Sequence, residues 1–437
     1  MATRHGRRAR LALATLAASA LLVSACGNDD SGGGDDGKVT LTVQNFGLFG
    51  YKDLYAQYMK DHPNIKIVEQ AEGDLTKYTN ALTQRIAAGR GAGDVVAIEE
   101  GAIIQFLQAK DRFVNMQEHG SNDLKGNWLD WKYDQATTAD GSYTIGLGTD
   151  VGGLAQCYRK DLFAAAGLPT DRTQVAQLWK TWDDFIATGQ KFQAQSPDKK
   201  VRFIDSATNT YNSILMQTAG QAAGYTYFDK DGGYVAADNP AVRGAWDQTT
   251  KLLDAGLSAN LKSFTNEWNA GFKNGAFATI ACPAWMTGYI EGQAGDAAKG
   301  KWDITTVPGG GGNWGGAWLA VPKQGKHQAE AIELAKFLTS PESQLVAFKT
   351  AGNLPSSPQD HADPALLGAT NPYFSDAPVG ELFVKGASSL KPVFLGAKNQ
   401  AVRDAFENNL RAVEQGQLQA GQGFDKAVSE GEAASGL

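Results

Sequence analysis

An alternation of strand and helix patterns near the N-terminus constrains the fold of this chain most. Residues 38–46 (KVTLTVQNF) alternate apolar and polar side chains, and residues 51–63 carry apolar side chains at helical spacing up to a proline. A strand pattern at 64–70, a helix pattern at 74–91 and an apolar strand at 93–101 repeat the order. Because strands that alternate with helices form mainly parallel sheets covered on both faces, the sequence predicts an α/β fold.

Two later strand patterns are loosened by glycine. Residues 142–169 (SYTIGLGTDVGGLAQCYRKDLFAAAGLP) and 311–323 (GGNWGGAWLAVPK) both carry several glycines within or beside a strand. Glycine adopts backbone conformations that other residues avoid, so such segments can bend. The first of these segments can pass between two lobes and flex there, and we predict further helices at 182–193, 241–255 and 266–274.

The extreme N-terminus is typical of a secretion signal. Residues 1–10 contain four arginines and no acidic residue, and the apolar run that follows is shorter than the roughly 20 residues a spanning helix needs. Val23-Ser24-Ala25-Cys26 resembles a bacterial lipobox, which predicts a signal peptide at 1–25 and a lipid anchor on Cys26. The alternative is an ordinary signal peptide with an incidental cysteine. Residues 26–37, rich in Gly and Asp, predict a flexible tether.

Length and charge narrow the class of protein. Removal of residues 1–25 leaves 412 of the 437 residues, which is more than one hydrophobic core normally organises, so two domains are expected. The same removal lowers the basic count from 40 to 36 against 47 acidic residues, a net charge of −11. Such a surface repels nucleic acid, and we expect no nucleic-acid partner.

Two cysteines remain beside Cys26. Cys157 and Cys282 both lie in strand patterns, and an oxidising compartment favours a disulfide between them. A bridge requires that the two strands be neighbours in one sheet. Two buried free thiols are the alternative, because sequence alone does not give the distance between the Cα atoms.

Nothing in the sequence demands a cofactor, a metal or catalysis. The glycine run at 307–316 lacks the Lys-Ser/Thr pair of a phosphate-binding loop, and the five histidines are far apart in sequence. The adjacent carboxylates Glu99 and Glu100 face opposite ways on a pleated strand, so they do not form the carboxylate pair of a glycosidase. We predict a non-enzyme without cofactor or metal, with a secreted glycan-degrading lipoprotein as the alternative.

Aromatic residues favour carbohydrate binding. Trp285, Trp314 and Trp318 lie beside glycine or proline rather than on amphipathic stripes. An indole ring can stack on the C–H face of a pyranose, while polar groups bond its hydroxyls, and ligand clefts combine apolar walls with a few polar groups. Packing in the core is the alternative explanation for each ring.

Segments distributed over the whole mature chain resemble an extracellular solute-binding lipoprotein (family 1) of an ABC sugar importer. Within that family, they are most similar to cello-oligosaccharide-binding proteins of Gram-positive bacteria. The segments that carry the resemblance are VTLTVQNFG, ALTQRIAAGRGAGDVVAIEEG, IGLGTDVGGLAQCYRKDLFAAAGLP, GAFATIACPAWMTGYI, GGAWLAVPKQ and AIELAKFLTSPESQ.

The resemblance implies a two-lobed periplasmic-binding-protein-like fold (type II) with a ligand cleft between lobes joined by crossing hinge strands. The implied lobe 1 is 38–148 plus 318–352, and the implied lobe 2 is 151–314 plus 356–437. The implied hinge segments are 149–153, 315–318 and 352–355.

The resemblance also implies a set of ligand-binding residues. Stacking is expected from Phe49, Tyr211, Trp285 and Trp314. Hydrogen bonds to hydroxyls are expected from Asn45, Glu99, Asp150 and Asn209. Tyr51 and Trp318 complete the predicted site.

The implied protein is a monomer on the extracellular face of the cell membrane, held there by its lipid anchor alone. It captures oligosaccharides such as cellobiose or cellotriose and delivers them to ABC permease subunits driven by a cytoplasmic ATPase. Xylo-, malto- or manno-oligosaccharides, or a peptide, are the alternative cargoes.

Overall fold

The computed structural model describes residues 38–388 and 391–437. The predicted signal peptide at 1–25, the lipid anchor Cys26 and the tether at 26–37 lie outside the described residues. In the described part of the chain, every helix is too short or too polar to cross a bilayer.

Eleven strands and seventeen α-helices are defined within the described residues. The strands are β1 Val39–Phe46, β2 Ile65–Glu72, β3 Val95–Glu99, β4 Gly146–Gly148, β5 Asp150–Val151, β6 Leu154–Arg159, β7 Arg202–Ile204, β8 Phe277–Pro283, β9 Trp302–Thr305, β10 Ala317–Ala320 and β11 Leu354–Pro355. The helices are α1 Lys52–Asp61, α2 Leu75–Ala88, α3 Ile103–Gln108, α4 Asp130–Gln135, α5 Lys160–Ala165, α6 Arg172–Ala176, α7 Trp182–Gln195, α8 Ala207–Gln221, α9 Pro240–Asp254, α10 Asn266–Asn274, α11 Met286–Ala294, α12 Gln328–Leu338, α13 Pro341–Ala351, α14 Pro364–Leu367, α15 Val379–Ser388, α16 Asn399–Glu414 and α17 Ala420–Ser435.

The first sheet has the strand order β2-β1-β3-β10-β4. Strand β1 runs parallel to β2 and β3, whereas β10 runs antiparallel to β3 and β4. The predicted mainly parallel arrangement therefore holds for β2, β1 and β3 alone. Strand β10 reaches this sheet from the second sheet rather than through a helical crossover, so the parallel direction is not imposed on it.

The second sheet has the order β7-β8-β6-β9, with β7 parallel to β8 and β6 antiparallel to both of its neighbours. Side chains alternate between the two faces of a sheet, and apolar clusters cover both faces of each sheet. In the first sheet, Val43 and Val96 belong to different clusters. In the second sheet, the consecutive residues Cys157 and Tyr158 belong to different clusters. Each of these sheets is the centre of one lobe. The structure is the two-lobed α/β fold that the sequence predicts.

The chain crosses between the two lobes at residues 149–153, 306–316 and 352–355, and these crossing segments bond to one another. Strand β5 in the first crossing pairs with β11 in the third, and Gly153 forms a bridge to Asn313 in the second. A Cβ atom on Gly152 would lie 1.8 Å from the carbonyl oxygen of Trp314, so only glycine allows the first and second crossings to approach this closely.

The predicted disulfide is confirmed. Cys157 on β6 and Cys282 on β8 are bridged, with their Cα atoms 5.5 Å apart. The antiparallel register pairs Ala155 with Cys282 and Cys157 with Ile280, so the two cysteines are diagonal neighbours on one face of the sheet.

Candidate ligand-binding cleft

A cleft of about 880 Å³ is lined by both lobes and by the crossing segments, a volume within the usual range for small-molecule sites. The first lobe contributes the loop after β1, the start of α2 and the end of β3. The second lobe contributes the starts of α8 and α11, the loop at 262–265 and one face of α16. Asp150 and residues 314–317 of the crossing segments form its base.

The structure brings six of the predicted site residues to this cleft. The six are Phe49, Glu99, Asp150, Asn209, Trp285 and Trp314. They come from segments far apart in sequence. Their contact with a ligand stays a prediction.

Tyr211 is not in the cleft, which corrects the expectation that it stacks on ligand. It is fully buried in a helical core, parallel to Phe406 at 6.3 Å between ring centroids. Asn209 and Tyr211 are two residues apart on α8, and helical geometry points such residues to nearly opposite sides. Since Asn209 lines the cleft, Tyr211 faces the core.

Trp318 is also buried away from the cleft. Its ring lies under the Nζ atom of Lys132 at 3.4 Å, and its indole N–H donates to the Lys132 carbonyl oxygen at 2.9 Å. Ala317 lines the cleft, and pleating turns the next residue of β10 to the opposite face.

Asn45 and Tyr51 are likewise core residues rather than cleft residues. The Asn45 amide donates to Glu69 Oε1 at 2.7 Å, and Tyr51 packs against the rings of Phe49 and Tyr55. Burial raises the pKa of Tyr51 well above its usual value, as expected for a phenol inside an apolar cluster. Of the aromatic residues predicted after β1, only Phe49 reaches the cleft.

Phe264 is a cleft residue that sequence reasoning missed. It is 42% exposed, and its ring lies 6.5 Å from Trp285 and nearly parallel to it. Its φ of 65° is in the left-handed region, which is costly for a bulky side chain and is often retained at functional sites. An aromatic residue directly before the Thr265 N-cap was the available signal, but the strained backbone was not visible in sequence.

Three rings form a row along the second-lobe side of the cleft. Phe264 is followed by Trp285, and Trp285 by Trp314 at 5.9 Å between centroids. The Trp285 indole N–H donates to the Trp314 carbonyl oxygen at 3.2 Å, which fixes the two rings relative to each other. We call Phe264, Trp285 and Trp314 the aromatic row.

Charged groups of both signs line the same cleft. The acidic ones are Asp74, Glu99, Asp150, Asp404 and Glu407, and the basic ones are Lys77, Lys262, Arg403 and Arg411. Glu407 accepts from the Asn212 amide at 2.7 Å and lies 3.7 Å from Arg403. Because the two signs nearly balance, the cleft suits an uncharged polar ligand better than an ion. Sequence reasoning missed the α16 residues because a charged helical face normally contacts solvent.

Two hydrogen bonds hold the Asp150 side chain in the base of the cleft. Its Oδ1 atom accepts from the Thr149 hydroxyl at 2.6 Å and from the Ala317 N–H at 3.0 Å. Burial raises the pKa of Asp150, while the nearby charge of Lys132 lowers it. Since Ala317 is the first residue of β10, Asp150 connects the first crossing segment to the start of this strand.

Comparison with known proteins identifies the family. Residues 53–366, well over half of the chain, match the family model described as bacterial extracellular solute-binding protein. The chain belongs to this family. The resemblance predicted from sequence is confirmed at that level, and the cleft between the lobes of this solute-binding protein is its candidate solute site.

Curated relatives of this solute-binding protein carry sugar-related names. A lactose-binding protein of Rhizobium radiobacter is 26% identical over 283 residues, 62% of this chain and 61% of the relative. An arabinooligosaccharide-binding protein of Halalkalibacterium halodurans is 24% identical over 308 residues, 68% of this chain and 64% of the relative. The chain therefore spans less than two thirds of the length of both.

Solved structures agree on the fold. A crystal structure described as extracellular solute-binding protein family 1 is 39% identical, covers 91% of this chain and 100% of its own, and has a TM-score of 0.77. An ABC-transporter-associated binding protein from B. animalis subsp. lactis Bl-04, solved with β-1,6-galactobiose, is 21% identical. It covers 89% of this solute-binding protein and 96% of its own chain at a TM-score of 0.78, which supports the two-lobed fold.

Proposed function

We propose that this protein is the extracellular receptor of an ABC importer for uncharged oligosaccharides. The observation that carries the proposal is the aromatic row of Phe264, Trp285 and Trp314, which lines the cleft together with carboxylate and amide side chains. Flat apolar rings suit the C–H faces of sugar rings, and convergent polar groups suit their hydroxyls. The names of the two curated relatives support the same class of ligand.

Binding and closure are the proposed mechanism. The lobes, 38–148 plus 318–352 and 151–314 plus 356–437, rotate about the crossing segments and enclose the sugar. Each hydroxyl exchanges a bond to water for one to protein, with a net gain of only about 1 kcal/mol. Micromolar affinity requires about 8 kcal/mol, so stacking on several rings must supply much of it.

Anchoring and delivery complete the proposal. Lipid on Cys26 and the tether at 26–37 would keep the receptor, as a monomer, at the outer face of the membrane beside its permease. A general secretion signal without the lipid is the alternative. Mass spectrometry of the N-terminal peptide from detergent-extracted protein decides between diacylglyceryl-modified and unmodified Cys26.

The finer proposal is a cello-oligosaccharide cargo. It rests on the sequence resemblance, while the relatives and solved neighbours are named for lactose, arabino-oligosaccharides and β-1,6-galactobiose. A thermal-shift screen of the mature protein, followed by calorimetry, distinguishes these sugars, because a ligand that binds the native state raises the melting temperature by mass action.

The panel contains cello-, xylo-, malto-, manno- and arabino-oligosaccharides, lactose, β-1,6-galactobiose and a neutral peptide library. We expect stabilisation by cellobiose or cellotriose, with the sugar recovered unchanged. Stabilisation by another oligosaccharide would refute only the cello-oligosaccharide assignment. Stabilisation by peptides alone would refute the oligosaccharide receptor, and release of shorter sugars by the purified protein would favour the glycosidase.

A further inference from the structure

We propose that Glu100 and Asn313 are positioning residues for this cleft, because their hydrogen bonds hold the loop that presents Trp314 to the ligand. The proposal rests on the proposed function, since it assigns a task to two residues that do not line the cleft themselves. We call Glu100 and Asn313 the clasp.

Glu100 ties the end of β3 to the second crossing segment. Its side chain is buried, Oε1 accepts from the Asn313 amide at 2.6 Å, and Oε2 accepts from the Gly315 N–H at 3.0 Å. The Glu100 N–H also donates to the Gly316 carbonyl oxygen at 3.0 Å. One acidic residue of the first lobe therefore contacts both sides of Trp314 in sequence.

Asn313 extends these bonds to the first crossing segment. Its Oδ1 accepts from the Gly152 N–H at 2.8 Å, and the Trp314 N–H donates to the Gly152 carbonyl oxygen at 2.8 Å. The loop continues through Gly315 and Gly316 at φ values of 91° and 111°, which other residues rarely adopt. The backbone bond of Trp314 to Gly152 and the bond from Trp285 also hold this loop, and the clasp adds the side-chain bonds on either side of Trp314.

Glu100 lies close to other buried charged groups. Lys132 is fully buried on α4, and among the described residues no hydrogen-bond acceptor reaches its Nζ atom. Burial lowers the pKa of Lys132, while Asp150 and Glu100 raise it. Burial raises the pKa of Glu100 to about 8, although the charge of Lys132 opposes this effect. A test of the clasp should therefore include a variant that keeps the number of acidic residues constant.

Two isosteric substitutions satisfy this condition when they are combined. Glu100→Gln places an amide N–H₂ where one of the two donors now binds, and Asn313→Asp places a second carboxylate against Glu100. Each single variant therefore loses one bond of the clasp. In the double variant the new amide at position 100 can donate to the new carboxylate at position 313, while the amide oxygen accepts from the Gly315 N–H. The bond between positions 100 and 313, the bond to the Gly315 N–H and the number of acidic residues are then restored, whereas the contact of the Asn313 amide with the Gly315 carbonyl oxygen at 3.4 Å is lost.

Calorimetry with the best oligosaccharide of the panel measures the outcome. We expect each single variant to bind at least tenfold more weakly, and the double variant to recover to within about threefold of the parent, as a double-mutant cycle of coupled residues requires. In a Trp314→Ala background, Glu100→Gln should change the affinity less than twofold, because the clasp acts through Trp314. An equal loss in both backgrounds, or unchanged affinity in the single variants, would overturn the proposal.

Asp303→Asn is the matched control. Asp303 is a buried carboxylate of β9 that bonds Arg172 and does not line the cleft. It should lower the melting temperature without changing the affinity. If Asp303→Asn weakens binding as much as Glu100→Gln, the loss reflects general destabilisation and the positioning proposal is overturned.

A ligand-free measurement separates this proposal from the proposed function. We would record the near-ultraviolet circular dichroism of the parent and of each clasp variant, and subtract the spectrum of the same protein carrying Trp314→Phe. The difference spectrum reports the surroundings of the Trp314 ring. We expect the difference spectrum to change in both single variants and to return in the double variant. An unchanged spectrum overturns the clasp even if the protein binds sugar, and the expected pattern supports it even if the wild-type protein binds no oligosaccharide.

Discussion

The indole N–H of Trp285 donates to the backbone carbonyl of Trp314 at 3.2 Å, and the two rings lie 5.9 Å apart. Trp285 precedes α11 in the second lobe, while Trp314 belongs to a crossing segment. The bond therefore connects α11 of the second lobe to a crossing segment, in the cleft itself. A ligand that contacts both rings would be sensitive to the position of one lobe relative to the other.

Trp285→Ala should weaken sugar binding at least tenfold, because the central ring of the aromatic row is lost together with its bond to Trp314. Isothermal calorimetry measures the change. Trp182→Phe is the control, since Trp182 bonds Gln217 outside the cleft and should leave the affinity unchanged. Unchanged affinity in Trp285→Ala would remove this ring from the site.

Two substitutions of Phe264 separate the contribution of its ring to binding from the effect of its backbone strain on stability. Both Phe264→Gly and Phe264→Ala should weaken binding, because both delete the ring. The glycine variant should be more stable than the alanine variant by about 1 kcal/mol, since only glycine adopts positive φ without steric cost. Urea unfolding of the two variants gives the difference. If the alanine variant were the more stable one, residue 264 would not be strained in solution.

The disulfide should affect stability but not binding. Its cysteines are 125 residues apart, and closing a long loop restricts the unfolded chain, with a typical effect of about 2–4 kcal/mol. Unfolding in urea with and without a reducing agent measures this loss, with the Cys157→Ser/Cys282→Ser variant as the control that no longer responds. A comparable loss of sugar affinity would contradict the prediction, because neither cysteine lines the cleft.

Asp205 should make stability fall as the pH rises through the acidic range. It is fully buried, and burial raises its pKa to about 6, although Trp268 and Asn209 donate to it. The native state therefore holds a proton that the unfolded state releases near pH 4. The resulting stabilisation is complete below pH 4 and is lost as the pH passes 6, by up to about 3 kcal/mol.

The measurement is urea unfolding of the parent and of Asp205→Asn between pH 4 and pH 7. The stability of the parent relative to the variant should fall over this interval, because the amide does not titrate. Any constant offset reflects the altered bond to Trp268 and does not affect the slope. A relative stability that rises with pH would show that Asp205 is ionised throughout the range.

Much of the fold follows from local sequence. The predicted strands and helices between residues 38 and 101 are all present, and so are α7, α9 and α10. Apolar periodicity and terminal prolines or glycines are local signals, so they determine these elements without knowledge of the rest of the chain. The sequence also indicated that a bridge between Cys157 and Cys282 requires their strands to be neighbours, because a disulfide permits few arrangements.

The direction of each side chain was decided by tertiary structure. Asn209 and Tyr211 are close in sequence, but on α8 Asn209 faces the cleft and Tyr211 faces the core. On β10, strand pleating likewise directs Ala317 to the cleft and Trp318 to the core. An aromatic side chain in a glycine-rich segment is thus compatible with a ligand site and with a core, and only the packing of neighbouring elements distinguishes the two.

The sequence by itself determined an α/β chain with bending crossing segments and a family of binding proteins. Tertiary structure alone decided the cleft-lining residues Phe264 and Arg403, the clasp of Glu100 and Asn313, and the buried amine of Lys132. These depend on contacts between residues that are distant along the chain. Such contacts form when the lobes pack, and the pattern of residues that are adjacent in sequence does not predict them.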